Sequence, residues 1–128
     1  MQTDNSLKTK QFTIRARARS FRFALEGIYR FFAEEHNARI HLLATIMTFL
    51  FAWLFRISRY EIVLLIIVTG FVWVAEILNS SIEKMMDFVQ PGYHPKVKLI
   101  KDLAAAAVLV AALIALATGA YIFIPKIF

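Results

Sequence analysis

The chain has 128 residues, of which 59% are hydrophobic, and a formal net charge of +6. Its mean hydropathy of +0.61 is too high for an ordinary soluble domain and fits a small integral membrane protein. The absence of cysteine excludes disulfides and cysteine-based metal or redox chemistry. Many basic residues precede the first apolar run, where they favour anionic lipid headgroups over nucleic acid as their partner.

The N-terminal part is predicted to be a basic segment over residues 1–19, followed by an interfacial helix over 20–35. Residues 1–10 are polar and are expected to be disordered. Between Ser20 and Glu34 the apolar residues recur at helical spacing, at Phe21, Ala24, Leu25, Ile28 and Phe32. Charged residues occupy the other faces, so this helix is expected to lie in the membrane interface.

Three apolar runs, over 40–55, 62–88 and 103–124, are predicted to be membrane helices. The second run ends at Gln90-Pro91-Gly92, because proline and glycine terminate helices. The third run is rich in alanine, and such small residues allow close approach of another helix. The chain, 1–128, is therefore predicted to be a single all-α integral membrane domain.

Loop charges predict the orientation of the chain. Lysine and arginine concentrate in the N-terminal segment and in residues 90–102. The positive-inside rule therefore places the N-terminus and this loop in the cytoplasm, and the C-terminus outside. His36 and His41, at the start of the first run, are interpreted as polar anchors at the interface rather than as ligands.

A polar stripe follows the charge-free stretch of the second run. Glu76, Asn79 and Glu83 are spaced i, i+3 and i+7, and Asp87 extends the stripe by one turn. An ionisable group at membrane depth costs about 2.5–3.5 kcal/mol on insertion scales. The stripe therefore indicates a buried site, a metal site or a proton path, with a structural carboxylate paired to a lysine as the plainer alternative.

Two further polar groups are expected at the cytoplasmic end of this stripe. Glu35 lies just before the first run, with Arg39 one turn later, and Lys101-Asp102 opens the third run. Carboxylates from separate helices with a nearby lysine suit Mg²⁺ and a phosphate-bearing ligand. The glycines are isolated, so a glycine-rich phosphate loop is excluded.

Five motifs follow one another along the chain at characteristic separations. They are Ser20-Phe-Arg-Phe-Ala-Leu-Glu-Gly27-Ile, Glu35-His-Asn-Ala-Arg39-Ile-His41, Glu76-Ile-Leu-Asn79-Ser-Ser-Ile-Glu83, Tyr93-His94-Pro95 and Lys101-Asp102-Leu-Ala-Ala-Ala-Ala-Val108-Leu109. Together they resemble the prokaryotic diacylglycerol kinase family, which includes the undecaprenol kinases. The resemblance extends over residues 16–128.

The resemblance implies an ATP- and Mg²⁺-dependent lipid kinase of the bacterial inner membrane. Its fold would be an interfacial helix and three membrane helices, assembled as a homotrimer with composite sites between subunits. Glu76 would be the general base on the lipid hydroxyl, and Asn79 would orient the site. Glu35 and Glu83 would hold Mg²⁺ and, through it, the ATP phosphates.

The resemblance also implies contacts to the two substrates. The nucleotide would contact Tyr93, His94, Lys101 and Asp102 as well as the metal-holding carboxylates. The lipid would contact Glu76 and the arginines Arg15, Arg17 and Arg39. The Tyr93-His94-Pro95 turn, the Arg39-Ile40-His41 step and the end Ile124-Pro125-Lys126 look more like the undecaprenol branch, so undecaprenol is the preferred acceptor and diacylglycerol the alternative.

Two other classes of protein are weighed against a kinase. A small proton-coupled oligomeric transporter would use Glu76 as its coupling carboxylate, but it would not explain the polar groups gathered at the cytoplasmic end. A non-enzymatic membrane adaptor would act through the basic N-terminus and would tolerate Glu76→Gln.

Overall fold

The computed structural model describes residues 13–128, which form four α-helices. They are α1 (Ile14–Glu34), α2 (His36–Leu54), α3 (Arg59–Val89) and α4 (Pro95–Ile127). The prediction of an all-α fold with one N-terminal helix and three apolar spans is therefore confirmed. The predicted disorder over 1–10 lies outside the described residues.

Helix α1 forms a compact unit of its own, and residues 35–128 form a second one; the single domain predicted over 1–128 stays a prediction. The helix begins earlier than the predicted residue 20 because Thr13 caps it: the Ala16 amide donates to the Thr13 hydroxyl at 3.2 Å. Residues 14–19, predicted as part of the basic segment, are thus its first turns. The Arg22 guanidinium pairs with Glu26 at 3.0 Å, one turn along the exposed face.

The turn between α2 and α3 is fixed by its own side chains. Helix α2 ends at Leu54, and Arg56 takes a positive φ of 50°. Ser58 then starts α3 with a capping box: its hydroxyl accepts from the Glu61 amide at 3.3 Å, and the Glu61 carboxylate accepts from the Ser58 amide at 2.7 Å. The first turn of α3 is therefore well defined before its apolar run begins.

Helices α3 and α4 pack as an antiparallel hairpin. Pro95 opens α4 at its first turn, and the His94 imidazole accepts from the Lys96 amide at 3.1 Å as its N-cap. At one end of the hairpin Lys101 pairs with Asp87, and at the other end Lys126 lies 3.3 Å from Glu61. A small buried core formed by Ala52, Ile57, Leu65 and Ile122 joins α2 to this second end.

Helices α2, α3 and α4 are each long and apolar enough to cross a membrane. The 33 residues of α4 extend over about 50 Å, whereas a hydrocarbon core is about 30 Å thick. The surplus length falls on the charged first turns of α4 and the charged last turns of α3, which lie side by side. This end of the hairpin can therefore reach the aqueous interface while the rest remains in lipid.

Candidate active site

Glu76 is one of two buried polar residues in the described chain, the other being Ser80. Only 6% of its side chain is exposed, and its Oε1 lies 2.6 Å from Nε2 of His41 on α2. The partner of the Glu76 carboxylate is thus an imidazole, and not the lysine expected if Glu76 were a purely structural carboxylate. His41, which was interpreted from the sequence as a polar anchor at the interface, directs its side chain at the carboxylate of the neighbouring helix.

The Trp73 ring packs against the His41 imidazole beside Glu76, and a chain of two hydrogen bonds ties Trp73 to α2. The two rings meet edge to face at 6.3 Å between ring centroids. The Trp73 indole N–H donates to the Thr45 hydroxyl at 3.1 Å. That hydroxyl donates in turn to the His41 backbone carbonyl at 2.7 Å. Trp73 therefore links α2 and α3 at the level of the buried carboxylate.

An apolar groove of about 600 Å³ opens among α2, α3 and α4 next to this contact. His41, Thr45 and Trp73 line it on one side, and small residues of α4, including Ala115 and Gly119, line it on the other. Long alkyl or isoprenoid chains bind in grooves of this apolar kind, while a few polar groups fix their orientation. The polar side chains of this groove include His41, which contacts Glu76, and the threonines Thr45, Thr48 and Thr69.

Asn79 and Glu83 continue the stripe toward the charged end of α3. Both are half-buried, and the Asn79 Oδ1 atom is buried with no hydrogen-bond partner. No ion pair involves Glu83 within residues 13–128. A half-buried carboxylate without a cation and a buried amide oxygen without a donor are the groups that a bound cation would satisfy.

The Glu35 carboxylate faces α3. Glu35 occupies the N-cap position of α2 but makes no capping hydrogen bond. Its Oε1 instead lies 3.1 Å from the Lys84 ammonium, and Lys84 directly follows Glu83. The start of α2 is therefore held at the same turn of α3 that carries the second predicted metal ligand.

Four of the six predicted nucleotide residues share a second cavity, of about 390 Å³, around the turn between α3 and α4, whereas Glu35 and Glu83 do not line it. Tyr93, His94, Lys101 and Asp102 all line it. Asp102 pairs with Lys98 at 2.6 Å, and Lys101 pairs with the Asp87 carboxylate of the stripe. The structure thus brings these four residues together, although their contact with a nucleotide stays a prediction.

The three predicted lipid-contacting arginines lie on two different helices. Arg15 and Arg17 are exposed on the first turns of α1, and Arg39 is exposed on the first turn of α2. Arg39 lies two residues before His41, on the part of α2 that approaches Glu76. The position of Arg39 therefore agrees with a site at this depth, whereas Arg15 and Arg17 belong to the separate unit formed by α1.

The oxygen atoms of Glu35, Asn79 and Glu83 suit Mg²⁺ only if a bound nucleotide supplies further ligands to the ion. Within residues 13–128 no three His, Cys, Asp or Glu side chains converge into a metal cluster. Mg²⁺, however, is usually held by one or two carboxylates, with water and substrate phosphates completing its shell. Glu83, the unsatisfied Asn79 oxygen and Glu35 are hard oxygen donors of this kind, so they suit an ion that arrives with a nucleotide.

His41, Lys84 and the Thr45–Trp73 pair are the site residues that the sequence interpretation missed. One signal could have found His41. Between His41 and Leu54 and between Ile62 and Ala75 there is no charged or histidine side chain, so His41 and Glu76 are the two groups that reach deepest from this end. An ionisable residue at membrane depth usually has a polar partner. The sequence therefore offered His41 as the partner of Glu76.

Comparison with known proteins agrees with this arrangement. The family model for prokaryotic diacylglycerol kinase matches residues 22–123. A diacylglycerol kinase of Synechocystis is 33% identical over 109 residues, which are 84% of this chain and 62% of that protein. The undecaprenol kinase of Bacillus subtilis is 33% identical over 109 residues, 85% of this chain and 89% of that protein.

A diacylglycerol kinase of Pseudomonas aeruginosa is also 33% identical, over 102 residues that cover 80% of this chain and 83% of that protein. The chain thus spans less than two thirds of the Synechocystis protein but most of the other two. The matched region includes the polar stripe, both cavities and the pairing residue His41. The chain therefore belongs to the prokaryotic diacylglycerol kinase family, a family of membrane lipid kinases, as its motifs predict.

Proposed function

We propose that this chain transfers the γ-phosphoryl group of ATP to the hydroxyl of a membrane lipid, with undecaprenol as the preferred acceptor. The observation that carries this proposal is the buried Glu76 carboxylate, which pairs with His41, a residue that lines an apolar groove. A lipid in the groove would present its hydroxyl near a carboxylate that can accept the proton. The family match makes a lipid kinase the expected enzyme, and it argues against the transporter and adaptor alternatives.

The proposed reaction needs one base and a means of neutralising phosphate charge. The lipid oxygen forms a bond to the γ-phosphorus while its proton passes to the Glu76 carboxylate. The bond from that phosphorus to the β,γ-bridging oxygen breaks, and ADP leaves with the electron pair. The Lys101 ammonium, at the charged end of the hairpin, supplies positive charge to the nucleotide phosphates.

Glu35 and Glu83 are the proposed holders of Mg²⁺, with the Asn79 oxygen beside them. When bound, the ion neutralises charge on the transferred phosphoryl group. Glu83 lies seven positions after Glu76 on α3, which is about 10 Å along the helix axis. This separation suits a site in which the proton acceptor lies deeper in the membrane than the groups that contact the nucleotide.

The acceptor is the finer part of the proposal. The preference for undecaprenol rests on the resemblance of the Tyr93-His94-Pro95 turn, the Arg39-Ile40-His41 step and the end Ile124-Pro125-Lys126 to the undecaprenol branch. The relatives do not distinguish the two lipids, because one diacylglycerol kinase and the undecaprenol kinase are equally similar to this chain.

Purified protein in lipid, supplied with Mg²⁺ and γ-labelled ATP, is expected to label undecaprenol faster than diacylglycerol when each is offered separately. The measurement is the initial rate of label transfer to each lipid, with Glu76→Gln as the inactive control. Faster labelling of diacylglycerol would reverse the preference between lipids. Label in neither lipid, from protein shown to be folded, would overturn the kinase proposal itself.

We also propose that the enzyme is a homotrimer. Exposed small residues along α4, among them Ala105, Ala106, Ala117 and Ala120, would let a helix of another subunit approach closely. Native mass spectrometry from detergent should give a mass three times the 14.7 kDa of the chain. A monomer or dimer mass that persists in lipid nanodiscs would contradict the trimer and leave the kinase proposal intact.

The charged end of the hairpin is proposed to face the bacterial cytoplasm, with the C-terminus of the chain outside. This orientation rests on the lysines that follow the α3–α4 turn and on the cavity at that turn. In sealed membrane vesicles, ATP added outside should be used only when the vesicles are inside-out. Use of external ATP by right-side-out vesicles would reverse the assignment.

A further inference from the structure

We infer that His41 is a positioning residue for Glu76: its imidazole Nε2–H holds one carboxylate oxygen and leaves the other for the lipid hydroxyl. This inference rests on the proposed function, because it concerns the same proton transfer. The carrying observation is the 2.6 Å separation of His41 Nε2 and Glu76 Oε1 across two helices. Within residues 13–128 no other charged side chain pairs with this carboxylate.

The burial of the two partners differs in a way that suits these roles. The Glu76 side chain is 6% exposed, whereas the His41 side chain is 28% exposed and lines the apolar groove. A carboxylate with so little access to water needs a protein donor to replace its lost hydration. The imidazole N–H supplies that donor and, because it comes from α2, also sets the direction in which the carboxylate points.

The imidazole is itself held in place. Trp73 packs against its ring, and the Thr45 hydroxyl joins the Trp73 indole to the His41 backbone carbonyl. Trp73 lies on α3 and Thr45 on α2, so the indole that packs against the imidazole is held by both helices and limits rotation of the histidine ring. A rotationally restricted donor is what a base requires if its free oxygen is to meet a hydroxyl in one orientation.

The test compares three substitutions of His41 in the full-length protein. His41→Gln keeps a side-chain N–H at nearly the reach of Nε2, His41→Asn keeps one at the shorter reach of Nδ1, and His41→Leu removes it. We expect kcat to fall about 10- to 100-fold in His41→Leu, to fall least in His41→Gln and to be intermediate in His41→Asn. KM for ATP should stay within about twofold in all three, because His41 would act in the transition state and not in nucleotide binding.

His36→Leu is the matched control, since His36 is an exposed histidine on the first turn of the same helix and is expected to keep the parent kcat. Equal losses in His41→Gln and His41→Leu would overturn the inference, and so would an unchanged kcat in His41→Leu. Should His41→Leu fail to fold, the order of the Gln and Asn variants decides, because only a donor at the reach of Nε2 is expected to preserve the rate. An inactive parent protein would instead count against the proposed function.

Discussion

Replacing Glu76 with glutamine is expected to lower kcat about 10²- to 10⁴-fold, the range in which a positioned general base contributes. Glutamine has the same shape as glutamate, and its carbonyl oxygen can still face the Nε2 of His41, which now lies 2.6 Å from Oε1. The fold should therefore persist while the proton acceptor is lost. The measurement is the rate of phosphoryl transfer to the preferred lipid, with the thermal stability of the detergent-solubilised protein followed in parallel.

Glu61→Gln is the matched control for this experiment. Glu61 lies on the same helix at the far end of the hairpin, where it caps α3 and lies 3.3 Å from Lys126. Loss of its charge can lower the stability of the protein but should leave kcat within about twofold of the parent value. Glu76→Gln that turns over at the parent rate would contradict the role of Glu76 as base and would revive a purely structural carboxylate. Loss of folding in Glu76→Gln alone would point the same way.

The helices could be predicted from the sequence because each one is specified locally. The stretch over 62–75 and the run over 103–124 carry no charged residue, and Pro91 and Gly92 mark the turn between the two helices. The bounds were less accurate at helix starts, where polar residues hide the first turns. Thr13 caps α1 ahead of its apolar stripe, and Pro95 lets α4 begin before its charged residues end.

The site was predictable only where it follows one helix. Glu76, Asn79 and Glu83 share a face of α3 by spacing alone, and the structure keeps them on it. The contacts between helices were not predictable, because spacing does not say which residues of α2 meet which residues of α3. The His41 contact with Glu76 and the Lys84 contact with Glu35 both depend on that packing.

The lack of an ion pair at Glu83, within residues 13–128, leads to the second large prediction, which concerns the proposed Mg²⁺ site. Glu83→Gln is expected to lower kcat about 10²-fold at ordinary Mg²⁺ and to raise the Mg²⁺ concentration needed for half-maximal rate. Glutamine keeps a neutral oxygen ligand but removes the charge that attracts the ion, and no cation partner within residues 13–128 depends on Glu83. The measurement is the rate of lipid phosphorylation as Mg²⁺ is titrated at fixed ATP.

The response to Mg²⁺ separates this variant from Glu76→Gln. Added Mg²⁺ should restore part of the rate in Glu83→Gln, because weaker binding can be offset by concentration, whereas it should restore none in Glu76→Gln, because a missing base is not replaced by metal. Glu26→Gln, which breaks only the exposed pair with Arg22 on α1, is the control and should follow the parent titration. If the Mg²⁺ titration of Glu83→Gln overlays that of the parent, Glu83 holds no catalytic metal. The buried Asn79 oxygen, which has no hydrogen-bond partner, would then have to be satisfied by some group other than a cation bound to Glu83.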